Sequence, residues 1–216
     1  MTPRIFSPVE VRVLGALIEK ELSTPDHYPL SLNALTAACN QSSNRDPVMA
    51  LDEGTVSGAI DTLRRASLVR SFQSSGSRVP KYSHLLADAW EMSRTELAVL
   101  SVLALRGPQT LAEVKSRAAR LLPDVDADSI EPALEGLIVR NASPIAVRLP
   151  RRPGQKEARY AQLLGGEVSY EIDDAPAATR NAPADRIAAL EEQVQELRRE
   201  LTDVRAELAE FRKQFE

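Results

Sequence analysis

Two stretches of this chain, opening at Ser7 and Ser93, carry the same helix start and the same apolar spacing. Ser7-Pro8-Val9-Glu10 reads as a capping box. The serine hydroxyl accepts from the Glu10 N–H, and the glutamate carboxylate accepts from the Ser7 N–H. Pro8 falls at the first helical position, where a missing N–H costs nothing. Val11, Leu14, Leu17, Ile18 and Leu22 follow at helical spacing. Ser93-Arg94-Thr95-Glu96 is a second capping box, and Leu97, Leu100, Leu103 and Ala104 follow it. Val13, Leu14 and Leu17 align with Val99, Leu100 and Leu103 at the same offset.

The echo continues in order. Ser31-Leu32-Asn33-Ala34-Leu35 corresponds to Thr110-Leu111-Ala112-Glu113-Val114, each a cap followed by a short helix. Val56, Ile60 and Leu63 correspond to Ile130, Leu134 and Leu137. The β-prone run Leu68–Phe72 corresponds to Ile145–Leu149, and Lys81-Tyr82 with Leu85 to Arg159-Tyr160 with Leu163. Turn-rich loops, Gln73–Pro80 and Pro150–Ala158, separate the strands of each pair. Each half thus predicts helix, helix, helix, strand, loop, strand. Three helices with a β-hairpin wing is the winged-helix variant of the helix-turn-helix.

The expected fold is mainly α with small β-hairpin wings (α+β), as tandem winged-helix domains followed by a long C-terminal coiled-coil helix. The expected boundaries are 1–88 and 89–165 for the two domains, 166–184 for a linker and 185–216 for the coiled coil. The halves differ at one place. A polar, amide-rich insertion, Asn40–Met49, separates the second and third helices of the first half, where the second half has only Leu122–Val125.

That insertion carries a resemblance. Thr24-Pro25-Asp26, Tyr28-Pro29-Leu30-Ser31-Leu32-Asn33-Ala34-Leu35 and Cys39-Asn40-Gln41, then Asn44-Arg45-Asp46-Pro47-Val48, closely resemble the signature of the bacterial YceH-like family. The opening Ser-Pro-Val-Glu-Val-Arg-Val-Leu-Gly fits it too. The resemblance spans roughly residues 5–165. It implies a tandem winged-helix body and nothing about catalysis.

Charge narrows the function classes. The chain has 216 residues and a net charge of −4, which argues against a strongly basic protein that coats nucleic acid. The acidity sits at the C-terminus, however. Residues 1–88 are net 0, residues 89–165 net +2 and residues 166–216 net −6. One cysteine and two histidines leave too few ligands for a Cys/His zinc site, so no metal and no cofactor is expected. Cys39 shares a helix face with Leu32 and Leu35 and reads as a small core residue. No Ser/His/Asp grouping, phosphate-binding glycine loop or HExxH occurs, so no enzyme is expected. The longest apolar run, Leu97–Leu105, is far short of a membrane span, and the N-terminus lacks a signal-peptide pattern. With a lone thiol, these features point to the cytoplasm.

The first candidate recognition helix runs over 52–67. Its outward and flanking residues include Thr55, Ser57, Thr62, Arg64 and Arg65, which suit contacts to phosphates or base edges. Asp52, Glu53 and Asp61 oppose this, and a solvated face is the alternative. The second candidate, 126–140, carries Asp126, Asp128, Glu131 and Glu135, which suits protein contact or solvation better than a groove. The wings reverse the sign. Arg70, Arg78 and Lys81 flank the first, and Arg148, Arg151, Arg152, Lys156 and Arg159 crowd the second. They suit double-stranded DNA phosphates, or simply solubility. In the insertion, Asn44 and Arg45 are candidates for a bound nucleic acid or peptide, against a purely structural role in satisfying loop backbone.

The C-terminal segment has a heptad pattern. Ile187, Val194, Leu201, Leu208 and Phe215 fall at a, and Leu190, Leu197, Val204 and Phe211 at d. About 32 residues make a rod of about 48 Å. In a parallel pair, Arg186–Glu191, Glu200–Arg205 and Glu207–Arg212 attract, so a parallel homodimer is expected through the seam Ile187 to Phe211, the alternatives being folding back on the winged domains or pairing with another protein. Two functions follow: a dimeric DNA-binding regulator, or a protein-interaction adaptor built from tandem winged helices that does not read DNA.

Overall fold

In a computed structural model, the described residues are 5–73, 79–140, 143–151, 155–166 and 168. Within them the chain is mixed α/β, with seven α-helices and two small antiparallel sheets. The elements of the first half are α1 (Pro8–Ser23), β1 (Leu30–Ser31), α2 (Leu32–Cys39), α3 (Glu53–Arg65), β2 (Val69–Phe72) and β3 (Lys81–His84). A one-turn helix α4 (Leu86–Ala89) leads into the second half. There α5 (Arg94–Arg106), β4 (Gln109–Thr110), α6 (Leu111–Leu121), α7 (Ile130–Ile138), β5 (Ala146–Arg148) and β6 (Arg159–Gln162) repeat the order.

Local chemistry sets these elements. Reciprocal capping boxes close the starts of α1 and α5, and a third, Thr110 with Glu113, starts α6. Ser31 caps α2 and Asp52 caps α3. Helix α3 ends in a Schellman turn. Ser67 takes a left-handed φ of 58°, its N–H donates to Arg64 O at 2.9 Å, and the Leu68 N–H donates to Leu63 O at 3.0 Å. The candidate helix at 126–140 is shorter than expected, because Ala127–Ser129 forms a 3₁₀ turn ahead of α7.

Each sheet has a third strand that the alternation did not reveal. The orders are β1-β3-β2 and β4-β6-β5. Leu30 pairs with Tyr82 and Ser31 with Lys81, while Gln109 pairs with Tyr160 and Thr110 with Arg159. Strands β1 and β4 are two residues long, and both contain the N-cap of the next helix. The sheet therefore fixes where α2 and α6 begin.

The two halves share one core. Helix α1 packs against α5, and buried residues from both halves form one continuous cluster. Gly15 marks the closest approach: a Cβ there would lie 3.0 Å from the Leu105 side chain and 3.1 Å from the Ala104 Cβ. With α1 covered by neighbours from both halves, Glu10, Arg12 and Glu19 are also buried. The Phe6 N–H donates to Leu164 O at 2.8 Å, joining the start of the first half to the end of the second. The boundary expected at 88/89 thus falls between halves that are not separately cored. All but Gly166 and Val168 of the expected linker, and all of the expected coiled coil with its seam Ile187, Leu190, Val194, Leu197, Leu201, Val204, Leu208 and Phe211, lie outside the described residues.

Candidate nucleic-acid interface

Helix α3 turns Val56, Ala59, Ile60 and Leu63 into the core and leaves the opposite face open. Thr55 is exposed in the first turn, and its N–H donates to Asp52 Oδ1 at 2.6 Å. The N–H groups of Thr55 and Gly54 and the Thr55 hydroxyl hold the Asp52 carboxyl below its ordinary pKa. Ser57 and Thr62 are half-buried, and the Thr62 hydroxyl donates to Gly58 O at 3.1 Å. Arg64 and Arg65 are exposed in the last turn. Arg64 lies 3.4 Å from the Asp61 carboxylate, while Arg65 donates to Asp61 O and Thr62 Oγ1 at 3.3 and 3.1 Å. Such exposed contacts are weak and exchange readily for a phosphate.

The structure adds Arg70 to this set. An open cleft between the end of α3 and β2 is lined by Asp61, Arg64, Arg65 and Arg70. The Arg70 guanidinium stacks 4.4 Å from the Phe72 ring centroid, and its Nε donates to Ser83 Oγ at 3.3 Å. Three guanidiniums and one carboxylate thus share one concave surface. The residue numbers alone placed Arg70 on a wing and the other two on a helix. The Schellman turn folds the strand back beside the helix end.

The remaining candidates divide. Lys81 is exposed at the start of β3, and Arg78 lies outside the described residues. Arg148, Arg151 and Lys156 are exposed, whereas Arg152 lies outside the described residues. Lys156 lines an open cleft with Thr110, Gln155, Glu157 and Arg159. Arg159 is committed, donating to Pro108 O at 2.9 Å and lying 3.5 Å from Glu113. Burial raises the Glu113 pKa, but the Thr110 N–H, Arg117 and Arg159 outweigh it and hold the carboxyl below its ordinary value. On α7, Glu131 pairs with Lys115 at 2.6 Å, and Glu135 is exposed, so that face stays acidic.

Arg45 points inward. Its side chain is fully buried, with Nη1 and Nη2 on the two Glu19 oxygens at 3.0 and 2.7 Å. Its Nε and Nη2 also donate to Ala38 O at 3.0 and 2.7 Å, and Nη2 to Gln41 Oε1 at 2.9 Å. Arg12 does the same one residue on, donating to Cys39 O at 3.1 Å and Pro47 O at 2.6 Å. Two guanidiniums therefore satisfy the last carbonyls of α2, which a helix end leaves without partners. Burial and the neighbouring Arg45 charge push the Arg12 pKa down. Asn40 exchanges two hydrogen bonds with the Leu51 backbone, at 2.7 and 2.8 Å. The Asp46 N–H donates to Leu105 O at 2.8 Å. The insertion is a strap across α2, α1 and α5, and it leaves the Arg45 guanidinium no free donor face for a ligand. Asn44, at a left-handed φ of 59°, accepts from Arg106 through its side chain. Cys39 is buried, and burial pushes its thiol pKa up to about 12.

Residues 6–155 match the family described as "Protein of unknown function, DUF480". A UPF0502 protein of Geobacter sulfurreducens is 49% identical over 218 residues, covering 98% of this chain and 99% of the relative. A UPF0502 protein of Geotalea daltonii is 53% identical over 216 residues, 98% of each chain. One from Opitutus terrae is 47% identical over 187 residues, 87% of this chain and 80% of the relative. No helix among the described residues is long and apolar enough to cross a membrane. With 150 residues of the body matched and relatives near half-identical along almost their whole length, the chain belongs to the DUF480 family, whose relatives here carry the UPF0502 name.

Proposed function

We propose that this protein is a non-enzymatic, cytoplasmic DNA-binding regulator. In this reading its two repeats act as winged helices, and α3 is the groove-facing helix. The carrying observation is the cleft where Arg64, Arg65 and Arg70 come together beside the exposed face of α3. Guanidiniums at a helix end and on the adjoining strand suit two neighbouring phosphates, with Thr55 and Ser57 further along the helix for sugar or base edges. Lys81 and Arg78 extend the charge on the first wing, and Arg151, Arg152 and Lys156 supply it on the second. The C-terminal heptads pair two copies in parallel, which presents the body twice to a duplex.

The test is binding of the full chain to random duplex DNA at about 50 and 200 mM salt. Several phosphate contacts predict a loss of orders of magnitude in affinity between the two. Joint replacement of Arg64, Arg65 and Arg70 by alanine weakens binding and flattens the salt slope by about three charges. Reversal of Arg151 and Arg152 to glutamate weakens it separately. Absence of binding at low salt refutes the reading. A chain truncated before Arg186 sediments as a monomer if the heptads make the dimer.

The second reading, a protein-interaction adaptor, is favoured by α7. That helix occupies the position of α3 in the other repeat yet presents Glu131 and Glu135. A basic partner surface captured by wild type and lost on charge reversal of those glutamates, with no DNA affinity, selects it.

A further inference from the structure

Where the two repeats meet there is a second concave site. Glu19 of α1 and Asn44 of the strap face Ser101, Arg106, Arg117 and Arg120 across a cavity of about 90 Å³. Its walls are completed by apolar side chains of α5 and α6, Val102 and Leu105 among them. Arg117 and Arg120 stand three apart on α6, so they share a face. Arg106 reaches in from the last turn of α5.

The positive charge here is under-compensated. Both Glu19 oxygens are taken by Arg45, with Lys20 at 3.5 Å from one of them. Glu113 lies 3.5 Å from Arg117 and equally from Arg159. Arg106 bonds only a neutral amide oxygen, that of Asn44, and Arg120 has no ion pair among the described residues. Burial, with the like charges of Arg117, Arg45 and Arg120, drives the Arg106 pKa down. Arginines tolerate such crowding when an anion is shared between them.

An independent observation points the same way. The Ser101 hydroxyl is fully buried and has no hydrogen-bond partner, although a mid-helix serine can bond the carbonyl one turn back. Arg117 Nη1 is buried too, with the Glu113 carboxylate at 3.5 Å. The unpaired Ser101 hydroxyl in the wall of this cavity is a donor awaiting an acceptor.

We propose that this cavity binds a small oxyanion, namely phosphate or the phosphoryl or carboxylate group of a metabolite, held by Arg106, Arg117 and Arg120 with Ser101 as a further donor. A volume of about 90 Å³ is well below the roughly 300–1,000 Å³ of sites that enclose drug-sized ligands. That admits one tetrahedral or planar anion and does not enclose a nucleoside. Asn44 ties Arg106 to the strap of the first repeat, so an occupied site braces the junction between the halves. The site is separate from the α3 cleft, and its test needs no DNA.

The test is thermal unfolding of the full-length protein with about 10 mM inorganic phosphate, pyrophosphate or succinate, against sodium chloride of the same ionic strength. At a hundredfold excess over Kd, the expected rise in Tm is roughly 5–10 °C. R120Q, on an exposed position that leaves the core intact, lowers the apparent affinity by about tenfold or more, the effect of losing one charged hydrogen-bond partner. S101A removes the hydroxyl alone and also weakens binding. A rise with phosphate but not succinate assigns a phosphoryl ligand, and the reverse assigns a carboxylate. No anion raising Tm above chloride, or a rise kept at full size in R120Q, overturns the proposal.

Discussion

Replacing Arg45 by methionine keeps most of the side-chain volume and deletes the guanidinium. The loss leaves Glu19 a buried carboxylate without its bidentate partner, and Ala38 O without its donor. Removing one partner of a buried pair costs about 3–5 kcal/mol, mostly through the charge left behind. The Glu19 side chain retains 11% exposure and a lysine at 3.5 Å, which places the expected cost near the lower end, about 3 kcal/mol. For a chain of this size that corresponds to roughly 6–12 °C in Tm. Urea denaturation at pH 7 measures it as a lower midpoint with an unchanged m-value. Because the harm comes from the orphaned carboxylate, R45M/E19Q recovers part of the loss, and the double-mutant cycle gives a coupling of at least about 1 kcal/mol. A cost below about 1 kcal/mol for R45M, or strict additivity with E19Q, refutes the view that this pair fastens the strap to α1.

Three further outcomes are expected. Gly15→Ala adds a methyl 3.0 Å from Leu105, and overpacking of about 1–3 kcal/mol exceeds the helix-propensity gain of up to about 1 kcal/mol; a raised Tm contradicts the close α1–α5 approach. Cys39, with its thiol pKa pushed up to about 12 and no exposure, stays unlabelled by a disulfide reagent at pH 8 in native protein and reacts in urea; rapid native labelling refutes its placement. Asp52→Ala destabilises the protein at neutral pH. The folded pKa of Asp52 is depressed, so its contribution is present above the ordinary value of 3.8 and fades as pH falls through the lower folded value. The gap between wild type and D52A in pH-dependent melts therefore narrows in acid, and a constant gap counts against the cap.

Much of the local structure was legible in the residues. The capping boxes at Ser7 and Ser93, the cap at Thr110 and the apolar spacing located α1, α5 and α6 closely, because a helix start is settled within four residues of chain. The strands after α3 and α7 also fell where β-prone runs stood. Strands β1 and β4 escaped, since a two-residue strand has no periodicity and exists only through its partner. The candidate site divided along the same line. Thr55, Arg64 and Arg65 are exposed because the α3 stripe alone decides which face is buried. Arg70 joins them through the turn at Ser67.

What the sequence determined by itself was therefore the repeat, its helix starts and its apolar faces, all of which rest on interactions within a turn or two of chain. The tertiary structure decided the rest. It merged the halves into one core through α1 and α5, which is why Arg12 and Glu19, polar breaks in an apolar helix, ended up buried. It also turned Arg45 from an exposed loop candidate into a buried fastening. The physical reason is that an arginine in a loop is solvated unless a helix end and a carboxylate from distant parts of the chain meet it. Here α2 supplies the carbonyls and α1 the carboxylate, and only folding brings the three together.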